Sequence, residues 1–164
     1  MTEDRESEEC KEVYAHAGLA LYWAQCLEKS LEIFLCHHDA ISGKRVTLAE
    51  LDALEVQAAK QTLGQLLNDV RKHVRFAGQA EQLLSNALDR RNYLTHRFFK
   101  ERAEAFMSRT GRSQMIAELE EICQCFRGAD SVAMALCKTL QKVLGAPEEA
   151  MPRRPPEADK RRTQ

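Results

Sequence analysis

All four prolines of this 164-residue chain, Pro147, Pro152, Pro155 and Pro156, lie after residue 146. Proline inside a helix removes a hydrogen bond and clashes with the preceding turn, so no proline interrupts a helix before that point. Apolar residues recur there at spacings of three and four, the signature of helices with one buried face. No stretch competes with the alternation of a strand, and the chain reads as all-α.

Four long helical segments are expected. The first runs from Glu8 to His38 with an apolar band that includes Val13, Trp23, Leu27, Leu31 and Phe34. A loop over residues 39–46, containing Gly43, ends it. The second opens on Thr47-Leu48-Ala49-Glu50, where a hydroxyl caps the helix and a glutamate reaches back to the cap, and it continues to Val74. The third spans Gln79 to Met107, Arg109–Arg112 break it, and Ser113 caps the fourth. Gly128 marks a kink in the fourth, and Gly145 followed by Pro147 stops it. Long helices joined by short loops favour an up-down bundle of four helices. The bundle is assigned to residues 8–145, between a disordered acidic N-terminus (1–7) and a disordered, charged, proline-rich tail (146–164).

The length suits one domain. No basic and apolar leader opens the chain, and no apolar run approaches the length of a membrane span, so a cytoplasmic protein without a membrane partner is expected. Its six cysteines then read as reduced, several as small buried hydrophobes. Cys36-His37-His38 and Cys123-Gln124-Cys125 offer metal-ligand types. Adjacent helical residues point about 100° apart, though, and no Cys-x2-Cys pair is present, so no metal ligand or cofactor is assigned. Arg71-Lys72-His73-Val74-Arg75 closes the second helix, where cations suit the helix dipole. The net charge of −1 hides an asymmetry. Residues 1–12 hold six acids against two bases, and residues 87–112 hold seven Arg/Lys against three acids. Basic clusters attract phosphates.

At the centre of the basic stretch lies Arg91-Asn92-Tyr93-Leu94-Thr95-His96. At about 100° per residue, Ala80, Leu84, Ala87, Leu88, Leu94, Thr95, Phe98 and Phe106 share one face and Arg91 projects from its middle. Asn92, His96 and Phe99 line one flank. Taken singly, Arg91 reads as half of an inter-helix ion pair with an acid such as Glu28, Glu32 or Asp69, and His96 as an exposed helix histidine. Together they form an always-charged fork beside the one side chain that titrates near neutral pH.

Arg91-Asn92-x3-His96, on the third long helix of a small bundle, resembles the Arg-x4–6-His motif of HEPN domains. Asn92 fits the polar residue common after the arginine. The resemblance covers the bundle over residues 8–145, but its specific part is these few positions. It implies a homodimer whose motif helices meet at a two-fold axis, and a metal-independent endoribonuclease in bacterial defence or a toxin–antitoxin system. The 2′-hydroxyl of RNA would attack the adjacent phosphorus and leave a 2′,3′-cyclic phosphate. His96 would move the proton, Arg91 would hold the phosphate, and Asn92 would orient His96 or a phosphate oxygen. Arg90, Arg97 and Lys100 are the accompanying RNA contacts. A cognate antitoxin or nucleotidyltransferase is an implied partner. Some toxin members carry a modifiable tyrosine two places after the histidine. Here that place is Phe98, which puts such control in doubt and leaves Tyr93 as the hydroxyl within the motif. The alternative is a non-catalytic HEPN dimer that binds protein or RNA.

Overall fold

A computed structural model describes residues 2–42 and 47–145, so the readings of Gly43 and of the 146–164 tail fall outside the described residues. Among the described residues seven helices follow one another: α1 (Thr2–Ile41), α2 (Leu48–Ala58), α3 (Leu63–His73), α4 (Gly78–His96), α5 (Phe98–Glu101), α6 (Ala103–Phe106) and α7 (Arg109–Leu144). No strand occurs among the described residues. The protein is all-α.

The two longest helices form the spine. Val13, Ala20, Ala24, Leu27, Leu31 and Phe34 of α1 are buried against Met115, Leu119, Ile122, Phe126, Ala129, Ala133 and Cys137 of α7. The spacing of three and four in both sets is that of an apolar seam, and the alanines let the backbones approach. A polar pair is buried within it, where the Ser30 hydroxyl donates to Asp130 at 2.6 Å. The Cys137 thiol donates to the Ser30 carbonyl at 3.3 Å.

Cross-links along the seam fix its direction. Glu9 meets Arg112, His16 meets Glu120, Trp23 lies under Arg127 and Ser30 meets Asp130. Both numbers rise together, so α1 and α7 run parallel. In contrast α4 runs antiparallel to both, with Glu28 opposite Arg91, Tyr14 against Phe99, and Tyr93 on Glu118. A four-helix up-down order would have set the first and last helices antiparallel.

The difference begins in the second expected helix, which is broken after Ala58. Thr62 there caps α3 by a second capping box, its hydroxyl accepting from the Gln65 amide while the Gln65 side chain accepts from the Thr62 amide. Reciprocal capping satisfies donors that a helix start otherwise leaves open. The box expected at Thr47 and Glu50 is formed in both directions.

The third expected helix is also divided, at Arg97 and Arg102, whose backbones leave the helical region (φ −130°, ψ −29° and φ −101°, ψ 12°). The bends let Phe98 become fully buried and bring Arg102 onto Glu118 at 2.7 Å. At the next boundary Ser108, rather than Ser113, caps α7, its hydroxyl accepting from the Gly111 amide at 3.1 Å. Residues 109–112 are therefore the first turn of α7, not a break. Glycine is required at 111: a Cβ there would lie 2.0 Å from the Ala105 carbonyl oxygen. Gly128 lies inside α7, which continues through it, and Gly145 closes that helix at φ 65°.

Candidate functional site around α4

The apolar face expected of α4 is largely present: Leu84, Ala87, Leu94 and Phe98 are buried. Thr95, expected on that face, is exposed, its hydroxyl donating to the Arg91 carbonyl at 2.8 Å. Such a local bond satisfies a hydroxyl without help from another helix. Arg91 lies where the seam reaches solvent, 23% exposed, and pairs with Glu28 of α1 at 3.4 Å. Of the acids weighed as its partner, Glu28 is the one used.

Burial raises the Glu28 carboxyl above its ordinary range, and the nearby Arg91 guanidinium offsets that only in part. The pair is thus a neutralised cation in an apolar seam, with an acid that would titrate more easily in water. Beside it, Asn92 and His96 are both exposed and, four residues apart, stacked on one flank. Asn92 and His96 thus lie on an exposed flank of α4 next to Arg91, which itself reaches α1 through Glu28.

On the same side of α1 as Glu28, two apolar side chains, Tyr14 and Leu21, reach solvent. Tyr14, Gly18, Leu21, Gln25 and Glu28 fall in one stripe at helical spacing. Tyr14 is 56% and Leu21 43% exposed. The Tyr14 ring packs on Phe99 at 5.8 Å and Phe106 at 5.5 Å, and Phe99 is itself 41% exposed. The stripe therefore runs between the Arg91–Glu28 pair and an aromatic cluster at the end of α4.

The expected RNA contacts are not gathered on the flank of Asn92 and His96. Arg90, Arg97 and Lys100 are exposed. A two-residue step sets Arg90 about 160° around the helix from Asn92. Arg97 lies over the Tyr93 ring at 5.4 Å and near Glu101 at 3.6 Å. The basic stretch is also more internally neutralised than its composition implies. Arg91 pairs with Glu28, Arg97 with Glu101, Arg102 with Glu118, and both Arg109 and Arg112 with Glu9, which accounts for five of the seven cations. Glu9 comes from the acidic N-terminal stretch, so the two halves of the charge asymmetry meet within the chain. Arg112, 6% exposed at its side chain, also donates to the Phe106 carbonyl at 3.0 Å.

Tyr93 is the motif residue whose environment sequence did not indicate. It lies opposite the apolar stripe, yet it is buried because α7 covers that side too. Its hydroxyl donates to Glu118 at 2.9 Å, and Glu118 also accepts from Arg102. Burial and the Glu118 carboxylate raise the Tyr93 phenol. The Arg102 guanidinium holds Glu118 below the usual carboxylate range, and the Arg102 pKa is raised in turn. The hydroxyl considered for modification is thus occupied inside the fold.

The cysteines are free thiols. Burial pushes Cys123 and Cys137 up to about 11 and raises Cys36 and Cys125. Thiols so raised are poor nucleophiles. His37 Nδ1 is engaged by the Ile33 carbonyl at 2.8 Å. Compared with protein-family models, with curated proteins and with solved structures, the chain matches none. No helix among the described residues is long and apolar enough to cross a membrane.

Proposed function

We propose that the protein is a HEPN-type, metal-independent endoribonuclease acting as a cytoplasmic homodimer. The observation that carries this reading is the edge of α4 on which exposed Asn92 and His96 adjoin Arg91, beside an exposed apolar stripe of α1. A second copy packed on Tyr14, Leu21 and Phe99 would cover that stripe and bring two His96 side chains toward one another. Burying such side chains stabilises an interface by roughly 25 cal/mol per Å² before association costs are met.

In the composite site one His96 takes the proton from the 2′-hydroxyl of RNA. That oxygen attacks the adjacent phosphorus, the bond to the 5′-oxygen breaks, and the partner's His96 gives the leaving oxygen a proton. Arg91 binds the phosphate oxygens as negative charge grows on them. It must then exchange some of its contact with Glu28 for the phosphate, an exchange favoured by the burial that already disfavours ionised Glu28. Asn92 orients His96 or the phosphate. Bacterial defence or a toxin–antitoxin pairing, with an antitoxin or nucleotidyltransferase as partner, belongs to the same proposal.

Incubating RNA with purified protein in EDTA tests it: 2′,3′-cyclic phosphate ends should form, and His96→Ala or Arg91→Ala should abolish them. A second reading is favoured by the Arg91–Glu28 pair and by the internal neutralisation of the basic stretch. In it the chain is a non-catalytic dimer that binds protein or RNA, Arg91 serving only to join two helices. Binding without new RNA ends would select that reading.

A further inference from the structure

Where α1 and α3 end side by side, three side chains from outside the α4 site converge. His38 lies in the last turn of α1 and His73 in the last turn of α3. Their rings are 4.1 Å apart between centroids, tilted by 36°. One ligand atom each of His38, Asp39 and His73 lies within 4.8 Å of the others. His38 Nδ1 is buried and, among the described residues, has no hydrogen-bond partner. Its approach to Asp39 Oδ1, at 3.9 Å, is too long for a hydrogen bond.

A buried ring nitrogen without a partner is costly in a folded chain, and here it faces a carboxylate across a gap a small cation can bridge. Ligands about 2.0–2.2 Å from a tetrahedral zinc ion lie roughly 3.3–3.5 Å from one another, so closure draws the three side chains together by up to about an ångström and a half, within reach of rotamer adjustment at the two helix ends. Two imidazoles and one carboxylate are a zinc donor set of the three-ligand kind, with the fourth position left to water. Two helix C-termini add the partial negative charge of their open carbonyls. Asp39 and His73 also line a cleft of about 260 Å³, which gives the ion and its water a route to solvent. The neighbouring cation Lys72 is held by Asp69 at 2.6 Å.

We infer that His38, Asp39 and His73 form a Zn(II) site that ties the C-terminal end of α1 to that of α3, independently of the ribonuclease reading. The signal in sequence pointed to the neighbouring Cys36-His37-His38 run. Within it only His38 contributes, and its partner comes from a cation-rich helix end otherwise explained by the dipole.

The full chain, stripped with EDTA and dialysed, should be titrated with ZnCl2 by calorimetry and with Co(II) by visible absorption. One Zn(II) per chain is expected, with a Co(II) spectrum of a low-coordinate nitrogen–oxygen site and no thiolate charge-transfer band. His38→Gln and His73→Gln, checked for unchanged helical circular dichroism, should each weaken binding by more than about tenfold. Cys36→Ser and Cys123→Ser should leave it unchanged. Absence of saturable binding to the wild-type chain would overturn the inference. So would full affinity in both histidine variants, or loss of binding in either cysteine variant.

Discussion

Replacing Arg91 and replacing Glu28 should have unequal effects, because burial rather than mutual attraction dominates the pair. Unit charges about 4 Å apart attract by roughly 4 kcal/mol at an effective dielectric near 20, before desolvation is subtracted. Exposed pairs contribute about 0–1 kcal/mol net, whereas removing one partner of a buried pair costs about 3–5 kcal/mol. The side chains here are 23% and 21% exposed. Arg91→Ala should therefore destabilise the fold by about 2 kcal/mol near neutral pH. Glu28→Gln removes the charge that burial already disfavours and should stay within about 1 kcal/mol of wild type.

The pH dependence follows from the raised Glu28 carboxyl. A carboxyl with a raised folded pKa contributes stability that is fully present below its unfolded value, about 4.3, and lost as pH rises through the folded value. Arg91→Ala raises that folded value further, so its deficit should be large near pH 7 and shrink towards about pH 4. Urea unfolding followed by circular dichroism, at matched protein concentration and both pH values, measures this directly. Arg91→Ala/Glu28→Gln should recover most of the loss. Equal destabilisation by both single variants, unchanged with pH, would refute the reasoning.

Further outcomes follow from other contacts. Gly111→Ala must displace the Ala105 carbonyl and should destabilise by about 3 kcal/mol or more. Gly128→Ala meets only Leu83 Cδ2 at 3.5 Å and should stabilise α7 by about 0.5–1 kcal/mol, both read as urea midpoints. Tyr93→Phe removes one of the hydrogen bonds Glu118 accepts and should cost about 1 kcal/mol in the same assay. The depressed Glu118 carboxyl contributes stability that is present above its unfolded pKa and lost as pH falls through its folded value. Acid unfolding of Glu118→Gln should therefore lack the part of the wild-type decline that lies below about pH 4.

Local rules made some of this fold legible and long-range packing hid the rest. Thr47 and Glu50 announced their capping box because it opens an apolar run. Thr62 and Gln65 form the same device within a pattern that runs on from Leu51 to Val74, so the break between α2 and α3 was masked, and with it the parallel order of α1 and α7. Periodicity located Leu84, Ala87, Leu94 and Phe98 correctly, and likewise the exposed flank of Asn92 and His96. It could not reveal the bends at Arg97 and Arg102, where neither glycine nor proline stands. Those bends answer to Phe98 and Glu118, residues of other turns and another helix. The burial of Tyr93 was hidden for the same reason, since a helix covered on two sides has no single apolar face. Charge composition showed an acidic and a basic segment, but not that Glu9 holds Arg109 and Arg112.

The most direct test is the chemistry of RNA ends after incubation with the purified chain in EDTA, wild type beside His96→Ala. The expected result is 2′,3′-cyclic phosphate ends from the wild type and none from the folded variant. No new ends from the wild type, or undiminished cutting by His96→Ala, would contradict the assignment of Arg91, Asn92 and His96 as the catalytic edge.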